Sequence, residues 1–137
     1  TLIELIIVII ILGILAVTAA PKFIDVQKDA RISVLQGAKA SLQSASTMVH
    51  AKALIAGQTG STGSVSVGTS TITLTNGYPD ADQIASLVDF DSVISEVSGS
   101  AGTFEHATAS DSGTCRVVYA EAGTGVQPQI TTTPDGC

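Results

Sequence analysis

TLIELIIVIIILGILAVTAAPKF, residues 1–23, decides what kind of molecule this is. Between Leu5 and Val17 no side chain is charged or polar, and the uncharged run continues through Pro21. At about 1.5 Å per helical residue, residues 1–21 span roughly 30 Å, which matches a bilayer core. A helix apolar on every side has no face to turn to water, so it must lie in lipid or be wrapped by protein. A cleavable signal peptide would carry basic residues ahead of the apolar run and a small-residue cleavage site behind it. Here the first basic residue, Lys22, follows the run, and Thr18-Ala19-Ala20 leads into a further helical pattern. The hydrophobic segment is therefore expected to stay in the mature chain, with residues ahead of Thr1 removed.

Glu4 is the odd residue of that segment. A carboxylate at the edge of so apolar a stretch is costly unless it lies at headgroup level or meets a cation. Either it rests at the lipid interface, or it pairs with a positive group of another subunit and turns its desolvation penalty into a register signal.

Past Pro21 the pattern becomes amphipathic. Phe23, Val26, Ala30, Val34, Ala38, Leu42, Ala45, Val49 and Ala53 recur at helical spacing, with Lys22, Asp25, Lys28, Asp29, Arg31 and Lys39 largely on the other face. One helix thus continues from the membrane segment into a soluble domain. Pro21 removes a backbone donor and crowds the preceding turn, so a kink or a short unwound stretch is expected near Gly13 to Pro21. A continuous helix over residues 2–54 is a rod of roughly 80 Å. The remaining chain is too small to cover it, and the exposed apolar half must find lipid or neighbouring copies.

At 137 residues the chain has room for one domain. It divides into residues 1–21 (membrane or filament-core half of the helix), 22–56 (amphipathic half) and 57–137 (globular head). The head is dominated by Ser, Thr, Gly and Ala, and the whole chain has three Phe, two Tyr and no Trp. So thin a core needs a covalent or oligomeric supplement. Cys115 and Cys137 are candidates for it: their wide separation does not suit a zinc or redox CxxC pair. A disulfide would imply an oxidising compartment; two free thiols are the other reading.

Gly57–Gly63 reads as a surface loop. Val65 and Val67, then Ile72 and Leu74, alternate with Ser and Thr and predict two short strands around Gly68–Ser70. Asn76-Gly77-Tyr78-Pro79 predicts a turn, and Asp80 or Asp82 is placed to cap a short helix over Ile84, Leu87 and Val88. Residues 104–107, 116–119 and 126–130 are further strand candidates. The last two would form an antiparallel hairpin about residues 121–125, leaving 131–136 as a loop. The order of elements predicts an α+β fold, a long N-terminal helix packed on a small antiparallel sheet.

Charge is divided as sharply as hydropathy. Up to Ala53 five basic residues face three acidic ones; beyond it nine acidic residues face Arg116 alone. An acidic surface disfavours nucleic acid, since phosphate binding needs clustered Lys and Arg. No Walker loop, dinucleotide fingerprint, HExxH pair or GxSxG elbow occurs. His50 and His106 have no cysteine or carboxylate at ligand spacing. Asp80 with Asp82, and Asp89 with Asp91, do not resemble a calcium loop and read as solvated surface. Neither enzymatic activity nor a cofactor is expected.

Residues 1–23 resemble the start of a mature class A type IV pilin. The resemblance implies cleavage by prepilin peptidase and a chain opening on an N-methylated phenylalanine one residue ahead of Thr1. It makes Glu4 the glutamate that neutralises the amino terminus of an adjoining subunit during assembly. Gly13 and Pro21 match positions where the pilin helix unwinds or kinks in filaments. Cys115 and Cys137 resemble the pair that closes the family's C-terminal disulfide region. By the same resemblance the subunit waits as a single-pass protein in the inner membrane and is drawn by a pilus assembly machinery into an extracellular homopolymer serving adhesion, haemagglutination and biofilm formation. Two rivals share the anchor. A type II secretion pseudopilin would form a short periplasmic fibre and commonly ends in a calcium site without this disulfide. A membrane-tethered monomer would need no Glu4 and a head able to cover the stripe from residue 23 to 53.

Overall fold

One helix, α1, runs from Leu2 to Ala56 in the computed structural model, which describes residues 1–137. Every residue between those ends is helical, Gly13 and Pro21 included, so the isolated subunit has no unwound stretch there. Pro21 leaves the carbonyl four residues back without its usual donor, and one turn below it the Thr18 hydroxyl donates to Leu15 O at 3.1 Å. The helix stops at Gly57, whose left-handed φ of 67° lets its N–H return to the carbonyls of Ala53 and Leu54.

The head that follows has two antiparallel sheets. Strands β1 (Gly63–Val67), β2 (Ser70–Thr75) and β3 (Tyr78–Pro79) form the first, in that spatial order. Strands β4 (Ile94–Glu96), β5 (Thr103–His106), β6 (Arg116–Ala120) and β7 (Gln129–Thr133) form the second. In β1 and β2 the apolar residues alternate as the sequence predicts: Val65, Ile72 and Leu74 are buried while Ser64, Ser66, Thr71 and Thr73 face out. Asn76 and Gly77, with φ of 54° and 81°, make the two-residue turn that folds β2 onto β3. Both central residues at positive φ is the type I′ geometry that Asn-Gly favours. The expected four-residue turn is therefore shorter, and Tyr78–Pro79 pairs as a strand.

Three further expectations are corrected. No aspartate caps the segment over Ile84, which is a 3-10 turn (Ile84–Leu87) preceded by Gln83 without a side-chain cap. Asp80 instead accepts the Thr75 hydroxyl at 2.7 Å. Strand β4 was not expected, since only three residues pair in a Ser- and Gly-rich stretch. Strand β7 begins at Gln129, not 126, and continues through the threonines read as loop, because each of them faces a residue of β6.

Helix and sheets meet in two apolar clusters. Leu35, Ala38 and Leu42 pack with Ile84, Ile94, Phe104, Val117 and Tyr119; higher up, Val49 and Ala53 pack with Val65, Ile72 and Leu74. The buried face of α1 is Leu35, Ala38, Leu42, Ser46, Val49 and Ala53, spaced three or four apart. Leu35 takes the place expected for Val34, and Ser46 that of Ala45, a rotation of about one residue. The architecture is a type IV pilin-like α+β fold, a long N-terminal helix on a small antiparallel head with a C-terminal disulfide.

Candidate assembly interface

The head covers α1 only from about Arg31 onward. Every residue before that is exposed, including Leu2 to Leu12, Ile14, Leu15, Val17, Phe23, Ile24 and Val26. Leu2–Ala56 is also the one helix long and apolar enough to cross a membrane. Burying a side chain such as Leu or Ile is worth about 1.5–3 kcal/mol, so more than a dozen uncovered ones along a single rod make it a surface that must be covered by something else. The stripe between Phe23 and Val26 finds no partner in the head, contrary to what a self-contained tethered monomer requires.

Glu4 stands on the first turn of this rod. Its Oε2 accepts a hydrogen bond from the Thr1 nitrogen at 3.0 Å, and its side chain is 80% exposed. The carboxylate thus closes a capping box on the backbone nitrogen of the N-cap residue, at an exposed position. It is the one acidic group before Asp25, and the rod around it has no other charge until Lys22. Gly13 adds no side chain, and a Cβ placed there would touch nothing.

At the head end the interface is bounded by built structure. Cys115, at the entry to β6, and Cys137 form a disulfide with Cα atoms 4.8 Å apart, and both sulfur-bearing residues are buried against Leu35 and Ala38. Arg31 Nη1 donates to Cys137 O at 2.9 Å, tying the C-terminal segment to the helix where the head begins. His106 is buried nearby at the end of β5, its Nδ1 accepting from the Thr108 N–H at 3.3 Å. Burial, and then the Arg31 charge, hold its pKa below the ordinary 6.5. Tyr119 bridges the two sheets: its hydroxyl donates to Pro79 O at 2.7 Å, and burial pushes its pKa up to about 12. Near the top of the helix His50 stacks on Tyr78 with ring centroids 3.9 Å apart, and its Nδ1–H donates to Gly77 O at 2.8 Å. A carbonyl only accepts, so this bond fixes the proton on Nδ1. From the sequence both are ordinary polar or half-buried histidines; His106 finds its partner two residues on, while His50 meets Gly77 and Tyr78 only through the folded turn.

Along the flank of the covered half, an open groove of about 650 Å³ runs between α1 and the head, lined by Ala45, Met48, Val49, Val67 and Leu87 among others. No three His, Cys, Asp or Glu side chains converge as metal ligands would, and the paired aspartates of the head stay apart from such a site. What the exposed rod offers is apolar surface and, before Lys22, the single carboxylate of Glu4. No protein-family model, characterised protein or solved structure matches the chain, so the pilin-like architecture and its uncovered helix are what the functional reading stands on.

Proposed function

We propose that this chain is the structural major subunit of a type IV pilus, polymerising through its N-terminal helix into an extracellular filament. The observation that carries the reading is the helix itself: its apolar half, up to Val26, has no cover within the subunit. Before assembly the inner membrane would provide that cover; in the fibre, the same half of other copies. Burial between apolar rods is large but gives little axial preference. Glu4 supplies the preference, pairing with the terminal amine of a neighbour, where lost water makes an unpaired carboxylate expensive. The helix around Gly13 and Pro21, short of a hydrogen bond already, is where it would melt as copies pack.

The buried disulfide supports a pilus over a secretion pseudopilin. The finer reading is the major subunit of a mannose-sensitive haemagglutinin pilus like that of Vibrio, with roles in adhesion, haemagglutination and biofilm formation. It rests on a resemblance that extends over the chain, since the opening residues by themselves mark only the wider class of pilins and pseudopilins. Prepilin peptidase and a separate assembly machinery are the partners it requires.

Electron microscopy of filaments sheared from cells, with mass spectrometry of their main protein, tests the proposal. Long fibres made mostly of this chain support it. Envelope-retained protein with no surface fibre would point to a pseudopilin instead. Glu4→Ala is expected to leave membrane insertion intact while surface fibres are lost and detergent-soluble monomer accumulates; normal fibres from that variant would refute the role given to Glu4.

A further inference from the structure

Four strands lie at sheet edges in the head, and three of those edges are blunted by the strands themselves. Strand β3 is two residues long and ends in Pro79, β4 is three residues long, and β7 lies between Pro128 and Pro134. Short edges and flanking prolines are common ways of preventing strand pairing between molecules. Strand β1 has neither. It runs five residues, Gly-Ser-Val-Ser-Val, with no proline and no charge.

The register shows which of its groups face outward. Val67 and Ser70 flank the two-residue turn to β2, and Gly68 at its first central position has φ of 61°. The pair flanking such a turn exchanges its hydrogen bonds, and pairs alternate from there. Val67, Val65 and Gly63 therefore bond to β2, and Ser64 and Ser66 point their backbone groups away from the sheet. Two of those groups are capped by side chains from α1 and the residues just after it. Lys52 Nζ donates to Ser66 O at 2.7 Å, and Gln58 Oε1 accepts from the Ser64 N–H at 3.4 Å. Both side chains lie in a groove of about 360 Å³ shared by Ile55, Ser64 and Ser66. The Ser64 carbonyl and the Ser66 N–H have no partner within the chain.

We infer that the edge of β1 is a strand-pairing surface, held closed by Lys52 and Gln58, and that the partner it excludes is β1 of a second copy. The outward pattern is self-complementary. Turned about a two-fold axis through Val65, Ser64 of one copy meets Ser66 of the other, and each pair exchanges its N–H and C=O. The other edges of the head are too short or too proline-bound to serve. Such a pair is isologous and closed. It would withdraw subunits into dimers, whereas the exposed helix permits continued growth. Lys52 and Gln58 thus keep association on the helix, whatever the final assembly is.

The test uses the full chain in detergent, which covers the exposed helix, with Glu4→Ala in every arm; a parent that runs as a monomer there makes the result independent of the pilus reading. Light scattering of the size-fractionated protein should find the Lys52→Ala/Gln58→Ala variant at about twofold the protein mass of its parent. Its Ser64 and Ser66 amides should gain hydrogen-exchange protection. Adding Ser66→Pro, which removes an outward donor and no bond to β2, should return the monomer. Lys52→Met keeps the apolar stem and loses only the donor; it should dimerise partially and provides the reading if the double variant does not fold. A folded double variant, or in its place a folded Lys52→Met, that stays monomeric with unprotected Ser66 overturns the inference. So does dimerisation that survives Ser66→Pro.

Discussion

The two halves of α1 are one continuous helix with opposite relations to the rest of the chain. From Leu35 upward each buried apolar residue has a named partner in the head; below Arg31 none does. The lower half is the more hydrophobic of the two, yet it adds nothing to the packing of the head. Hydrophobicity alone, then, does not mark the core of this subunit. What marks it is a stripe of three- and four-residue spacing that leaves room for polar residues opposite.

The sharpest way to break that comparison is to shorten one apolar side chain in each half. Leu42→Ala should lower head stability by about 2–5 kcal/mol, as buried leucine truncations do. Ile10→Ala should leave thermal melting of the detergent-solubilised monomer unchanged while weakening filaments. Equal effects on melting would mean that the lower half does touch the head. A somewhat smaller loss is expected from Cys115→Ser/Cys137→Ser, about 3 kcal/mol on the loop-entropy model. It should appear in denaturant unfolding of the head and be accompanied by exposure of the segment that Arg31 holds. If instead this variant melts like the parent, the thin core needs no staple.

The smallest effect concerns His106. Its pKa in the folded head lies below the ordinary 6.5, chiefly through burial and then through Arg31. Between the two values the unfolded chain binds the proton more readily, so stability is full above 6.5 and falls as pH drops toward the folded value. Melting of the head should decline across that interval, and His106→Gln should flatten the decline. A pH dependence unchanged by the substitution would assign it to other groups.

Much of this was legible in residues 1–23, because a bilayer-length run without a polar side chain has few physical solutions. The alternation of Val65, Ile72 and Leu74 was equally readable, and so was a turn at Asn76-Gly77, though not that Tyr78–Pro79 leaves it to pair as a strand. The phase of the covered stripe was less so. Val34 and Leu35 are both apolar, and only the position of the second sheet selects Leu35. Strand β4 and the threonines of β7 carry no apolar alternation, and they are strands because β5 and β6 offer them hydrogen-bond partners.

By itself the sequence determined the rod, its lone early carboxylate and the need for cover, for these follow from the cost of placing apolar surface in water and charge in lipid. Only the tertiary structure decided where that cover begins, which residues close the head and which strand edge needs guarding. Those depend on which groups distant in the chain are brought within hydrogen-bond reach, and no local pattern records that.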